Sequence, residues 1–154
     1  MLLKPPFLTE GKAIEEASDT LQEARRIGFD SVSLEPASLH EYTLMHALNL
    51  AGCYQVPWLW SVLKVAQTAS ELSDFRIGGV GFFPRPMNVA HNRHADGSDD
   101  CNERIWVAIK EYGRTRSLDV FSDIDCACRR DSECDCKINE GPLHERIDQQ
   151  LERP

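Results

Sequence analysis

The chain has 154 residues, enough for one domain and too few for two of ordinary size, and its 42% apolar and 27% charged content excludes collagen-like and wholly disordered classes. Seventeen Lys/Arg against twenty-five Asp/Glu give a formal net charge of −8. Such a surface does not steer generally toward phosphates, which disfavours non-specific nucleic-acid or membrane binding while leaving room for a local basic groove.

Leu2-Leu3 reads as a strand that stops at Pro5-Pro6, because proline has no ladder donor. Thr9 can cap a helix in which Ile14, Ala17, Leu21 and Ala24 recur at helical spacing, and Gly28 suits its end. Phe29 to Leu34 is a short predicted strand closed by Pro36. Strand, helix, glycine, strand is a βαβ unit, so a parallel sheet is expected. Ser38-Leu39-His40-Glu41 reads as a capping box for a helix running through Met45 and Leu48 to Gly52. Pro57 presets the first turn of another helix, with Leu59, Val62, Leu63, Ala66 and Ala69 inward. A further strand is expected from Phe75 to Val80, broken by Gly78-Gly79.

Beyond residue 83 the texture changes. Phe82-Phe83-Pro84-Arg85-Pro86 reads as a loop extended by His91 to Asp100. A helix is predicted from about Asn102 to Tyr112, with Ile105, Ala108, Ile109 and Tyr112 on one stripe. Ser117 can cap a short turn through Phe121. The cysteine segment reads as polar loop, and the tail from Ile138 as a frayed helix around Leu143, Ile147 and Leu151. The expected organisation is an α/β segment over 1–83 and a Cys/His-containing extension over 84–154. Three strands and three helices make a thin parallel sheet, which suggests the tail of a larger fold.

No stretch approaches the ~18 apolar residues that span a bilayer. The apolar run at the N-terminus is too short for a signal peptide. A cytoplasmic protein is expected, and its six cysteines are then ligands or free thiols rather than disulfides. Cys126-Ala127-Cys128 and Cys134-Asp135-Cys136 place four soft donors within eleven residues, with Cys101, His91 and His94 upstream. Thiolates and imidazole in such numbers suit one tetrahedral ion such as zinc. Spacing leaves two sets open: Cys101, Cys126 and Cys128 with His91, or Cys126, Cys128, Cys134 and Cys136. The plain alternative is a polar loop of reduced thiols. The C-x-x-x-C-x-x-C spacing that holds a 4Fe–4S cluster for S-adenosylmethionine (SAM) cleavage does not occur.

Trp58 and Trp60 flank Leu59 at a helix start, where they can stack on bases, form a wall for a partner, or simply fill a core. Lys4, Glu35 and Pro36 fall at strand carboxyl ends, where parallel α/β folds gather ligand groups; a plain surface ion pair between Lys4 and Glu35 fits equally well. His40 and His46 read as surface or packing residues. There is no G-x-S-x-G elbow, P-loop or G-x-G-x-x-G, and Cys53 has no evident base beside it.

Lys4-Pro5-Pro6-Phe7-Leu8-Thr9-Glu10, Val32-Ser33-Leu34-Glu35-Pro36 and, above all, Tyr54-Gln55-Val56-Pro57-Trp58-Leu59-Trp60-Ser61 resemble the later barrel strands of the archaeosine-biosynthesis radical-SAM lyases. His91-Asn92, Cys101 and Cys126-Ala127-Cys128 are similar to that family's C-terminal region. Three positions depart from the pattern. Arg93 stands where a cysteine is expected, Glu35 where asparagine is usual, and Cys134-Asp135-Cys136 looks additional, a possible replacement for the missing ligand.

The resemblance implies the C-terminal part of a radical-SAM partial TIM barrel followed by a small cysteine-rich extension. It implies a place in C–N bond cleavage of a lysine adduct on a tRNA 7-deazaguanine. Lys4, Glu35 and Pro36 would then line the SAM or substrate mouth, and Trp58 and Trp60 would contact tRNA or a partner. The implied partners are tRNA, an N-terminal radical-SAM half carrying the 4Fe–4S cluster and SAM, and the lysine-transferring archaeosine synthase subunit. Without the cluster motif the polypeptide is expected to be inactive alone. The rival expectation is a non-enzymatic, zinc-bearing interaction module.

Overall fold

A computed structural model describes residues 1–69, 74–78, 89–94, 100–137, 145 and 147–149. Strand β1 (Leu2–Leu3) leads through α1 (Glu10–Ile27) to β2 (Ser31–Pro36). Helices α2 (Leu44–Leu50) and α3 (Leu59–Thr68) then lead to β3 (Asp74–Ile77). Helix α4 (Asp100–Thr115), a 3-10 turn (Leu118–Phe121) and α5 (Cys128–Lys137) complete the described elements. The sheet is parallel throughout, in the order β1-β2-β3. Its register pairs Leu2 with Glu35 and Val32 with Phe75.

The helix ends follow their sequence signals. Thr9 Oγ1 accepts from the Lys12 amide at 3.2 Å, satisfying one orphan donor of α1. Gly28 stops the helix at φ 93°, a left-handed conformation that costs glycine little. Between these ends Ala13, Ile14, Ala17 and Leu21 form the buried stripe. Helix α3 is apolar nearly all round, with Leu59, Val62, Val65 and Ala66 at zero exposure, as a helix enclosed by other elements must be. It packs on α1, α5, β3 and the 3-10 turn.

One core joins both parts of the chain. Leu3, Leu34, Leu59, Val62 and Phe75 share it with Ile105, Ile109, Phe121 and Ile124. Each large apolar side chain removed from water there contributes about 1.5–3 kcal/mol. A second, smaller cluster of Leu39, Leu48, Tyr54 and Val56 lies with Phe7 and Met45. Among the described residues no helix is long and apolar enough to cross a membrane, and the outer sides of β1 and β3 carry no paired strand.

Three local expectations change. Strand β2 begins two residues later than the pattern suggested and takes in Pro36, whose missing donor is harmless at a strand end. Ser38 does not cap a helix; its hydroxyl lies 3.0 Å from the His40 ring. Tyr42 turns to φ 64°, which delays the helix until Thr43, whose Oγ1 accepts from the His46 amide. The cysteine segment is not a loop from Cys128 onward but a ten-residue helix, α5. Gly79, Val80, residues 82–86, Leu143 and Leu151, of which the sequence also raised expectations, lie outside the described residues.

Candidate metal centre

Residues 89–94 are fastened before any ligand is considered. The His91 amide donates to the Pro57 carbonyl at 3.2 Å, just ahead of α3. Asn92 and Asn102 grip each other twice: the Asn92 amide donates to Asn102 Oδ1 at 2.6 Å, and Asn102 Nδ2 donates to the Asn92 carbonyl at 3.0 Å. Both are buried, so every one of these polar groups needs its partner. Asn92 Oδ1 also accepts from the Trp60 amide at 3.3 Å. The segment is thereby locked between α3 and α4.

This locking carries His94 to Cys101, at the start of α4, with Nε2 3.0 Å from Sγ. Cys128, the first residue of α5, brings its Sγ to 3.7 Å from that of Cys101. Cys126 Sγ lies 3.9 Å from His94 Nδ1. One ligand atom from each of His94, Cys101, Cys126 and Cys128 falls within 4.8 Å of the others. Tetrahedral zinc with ~2.3 Å sulfur bonds has sulfur–sulfur edges of about 3.8 Å, and the observed 3.7 Å agrees. Three thiols and one imidazole are a donor set of the closed, structural kind. This His/Cys group could hold a metal ion.

The surroundings favour thiolates once an ion is present. Asn92 Nδ2 donates to Cys101 Sγ at 3.2 Å, and Trp60 Nε1 donates to Cys128 Sγ at 3.1 Å. Such donors orient ligating sulfurs and stabilise their charge. In the metal-free protein burial dominates instead. It raises the Cys101 thiol and pushes Cys128 up to about 12, where Cys126 and Cys101 add to the effect.

His91 lies outside the group; its Nδ1 is 2.9 Å from the Val89 carbonyl. Cys134 and Cys136 also lie outside it, on α5. Cys134 is exposed, whereas Cys136 is partly buried. Arg93 stacks 4.3 Å above the Trp58 ring and donates to the Val56 carbonyl, so it supplies packing at the position where a cysteine was expected. The fourth donor comes from the next residue, His94.

Trp58 and Trp60 are core residues, at 3% and 7% exposure. Trp58 Nε1 donates to Asp135 Oδ2 at 2.7 Å, tying the far end of α5 to the start of α3. Gly11 allows the same approach. A Cβ there would overlap the Cys136 carbonyl oxygen.

Lys4 and Glu35 do not pair. Lys4 Nζ sits 2.6 Å from Glu10 Oε2, with side chains 10% and 3% exposed. Glu10 Oε1 accepts from the Trp58 amide at 2.9 Å and from Ser61 Oγ at 2.5 Å. The Tyr54 hydroxyl donates to the Lys4 carbonyl at 2.8 Å, and burial holds that phenol well above its ordinary range. Glu35 is exposed, accepts from Ser33 Oγ at 2.7 Å, and rests where a side chain on Gly78 would stand. Pro36 is the last residue of β2, paired with Leu3.

Glu10, Asn92, Asn102 and Asp135 carry much of this geometry without having been singled out as site residues. An acidic residue opening a helix reads as dipole compensation. Two asparagines ten residues apart carry no periodic signal.

The chain is 24% identical over 129 residues to archaeosine synthase subunit beta of Methanosarcina acetivorans, a match covering 84% of this chain and 36% of that protein. It is 26% identical over 130 residues to the archaeosine synthase subunit beta of Thermococcus kodakarensis, covering 84% and 39%. An uncharacterized protein of Methanocaldococcus jannaschii is 24% identical over 134 residues, covering 84% and 34%. The resemblance read from the sequence to archaeosine-biosynthesis proteins is thus supported. The chain spans little more than a third of the length of these relatives. No family model matches it. No solved structure matches it.

Proposed function

We propose that this chain serves archaeosine formation as the counterpart of the part of archaeosine synthase subunit beta to which it is similar. The observation that carries this reading is the 24–26% identity to two proteins of that name over 84% of the chain. The finer reading is a role beside a radical-SAM lyase that breaks a C–N bond in a lysine adduct on a tRNA 7-deazaguanine. The parallel sheet and its covering helices are taken as part of a radical-SAM barrel, with 84–154 as its cysteine-rich extension.

A reduced 4Fe–4S cluster would supply radical chemistry from SAM in such an enzyme. The six cysteines here lack the spacing that holds one, so no step is assigned to them. The cluster belongs to a separate portion, and the partners are that portion, tRNA and the lysine-transferring synthase subunit. We take Lys4, Glu35 and Pro36 as the mouth, because β1 and β2 end side by side there and Glu35 is exposed.

His94, Cys101, Cys126 and Cys128 would hold zinc as a structural ion that fastens α4, α5 and residues 89–94 together. Zinc is favoured by a donor set of three sulfurs and one imidazole and by the 3.7 Å between the Cys101 and Cys128 sulfurs. A zinc-bearing interaction module remains the second reading. It is favoured by the closed donor set, since all four positions come from the protein.

Co-expression with a cluster-bearing N-terminal portion tests the first reading. Iron loading, SAM cleavage and appearance of archaeosine in tRNA are the expected results. A chain that does not associate with that portion and leaves tRNA unmodified would contradict it.

A further inference from the structure

A cleft of about 180 Å³ is lined by residues of α1, α3 and α5, Trp60 among them. A cavity of roughly 150 Å³ is enough for a benzene-sized guest. Ile14, Leu63, Phe121 and Ile124 give it an apolar floor.

Two polar groups face this space without partners. Ser132 is 3% exposed and lines the cleft, yet its hydroxyl makes no hydrogen bond among the described residues. A hydroxyl on the cleft wall without a protein partner can donate to, or accept from, a molecule that enters. Lys64 also lines the cleft and has no ion pair among the described residues. Its charge acts on the Cys136 thiol, which borders the same space. Arg129 stands at the rim, 5.5 Å from the Trp60 ring centroid, and Glu133 is 3.7 Å from it, so the acid's charge is offset locally. Lys64 is left as the uncompensated cation.

We propose that this cleft is a binding site for a small carboxylate with a ring-sized apolar body. The carboxylate meets Lys64 and accepts from the Ser132 hydroxyl. The apolar body lies on Ile14, Leu63, Phe121 and Ile124. This site is separate from the His/Cys group and does not rest on the archaeosine reading. Neutral and cationic molecules of the same shape gain the floor but not the charge.

The test is an NMR titration of the zinc-loaded full chain with benzoate, benzamide and benzamidinium. Benzoate should give saturable shifts at Ile14, Leu63 and Phe121, while benzamide and benzamidinium should bind at least about tenfold more weakly. Lys64→Gln, at an exposed position, should weaken benzoate about tenfold. Ser132→Ala should weaken it about fivefold without lowering the melting temperature, because the hydroxyl has no partner to lose. The second variant separates a ligand contact from a merely structural role. No saturable shift up to about 10 mM benzoate would overturn the proposal. Equal binding of benzoate and benzamidinium, or benzoate affinity unchanged in Lys64→Gln, would overturn it as well.

Discussion

Trp60 Nε1 donates to Cys128 Sγ at 3.1 Å, so the tryptophan that opens the central helix also holds a candidate metal ligand. The bond joins the core of the α/β segment to the first residue of α5. Trp60→Phe keeps most of the packing and removes only the donor. Zinc affinity, measured by competition with a chelator, should fall about 10–100-fold, the usual effect of losing an outer partner of a ligand. Unchanged affinity would show that the N–H is incidental.

His94 and His91 separate cleanly by substitution. His94→Ala removes one of the four gathered donors and should abolish stable zinc binding. His91→Ala removes a ring 2.9 Å from the Val89 carbonyl and should leave the metal content intact. The reverse result would replace the donor set assigned here.

The thiols set a pH dependence whose sign differs between the two metal states. In the metal-free protein Cys128 is raised from 9.0 to about 12, so the folded state keeps a proton that the unfolded chain releases. Stability from this source is intact below about pH 9 and declines as pH rises from there toward 12. Chelator-treated protein should therefore lose urea resistance on the alkaline side. Zinc-loaded protein, its thiolates already deprotonated, should not lose it by this route. Zinc uptake near neutral pH should release protons from the three ligating thiols, Cys101, Cys126 and Cys128, and weaken as pH falls.

Glu10 is the hinge of the buried ion pair with Lys4. Glu10→Ala leaves the ammonium buried and strips acceptors from the Trp58 amide and Ser61. Chemical denaturation should show a loss of about 3–5 kcal/mol. Lys4→Met with Glu10→Leu should recover part of it, because no uncompensated charge is then buried. A Glu10→Ala loss below about 1 kcal/mol would place the pair in water.

Two glycine substitutions test how α5 docks. Gly113→Ala in α4 meets nothing within 4 Å and should stabilise the protein by about 0.5–1 kcal/mol through helix propensity. Gly11→Ala gains the same propensity but drives a methyl group into the Cys136 carbonyl. It should destabilise by about 1–3 kcal/mol and loosen α5. Equal melting shifts in the two variants would mean that α5 does not lie on α1.

The elements with strong local signals were legible. Thr9, the stripe from Ala13 to Leu21, and Gly28 specify α1 without help from the rest of the chain. Helix α3 was legible because Pro57 and a dense apolar run agree. Helix α5 was not, because Cys-Arg-Arg-Asp-Ser-Glu-Cys-Asp-Cys-Lys has no apolar stripe and weak helix formers. It is held by Cys128 at one end and by Asp135 against Trp58 at the other. The cysteines Cys101, Cys126 and Cys128 could be grouped by residue type alone. The choice between His91 and His94 could not, since it depends on the backbone tie to Pro57 and on the Asn92–Asn102 clasp. Lys4 was visible as a strand-end cation, but its partner, Glu10, is brought to it only by the turn through Pro5 and Pro6.

Metal analysis of the reduced, purified chain tests the central claim most directly. About one zinc per chain is expected, lost in a Cys126→Ser/Cys128→Ser double variant together with a clear drop in melting temperature. Metal-free protein that melts at the same temperature as the double variant, and is not shifted by added zinc, would contradict it.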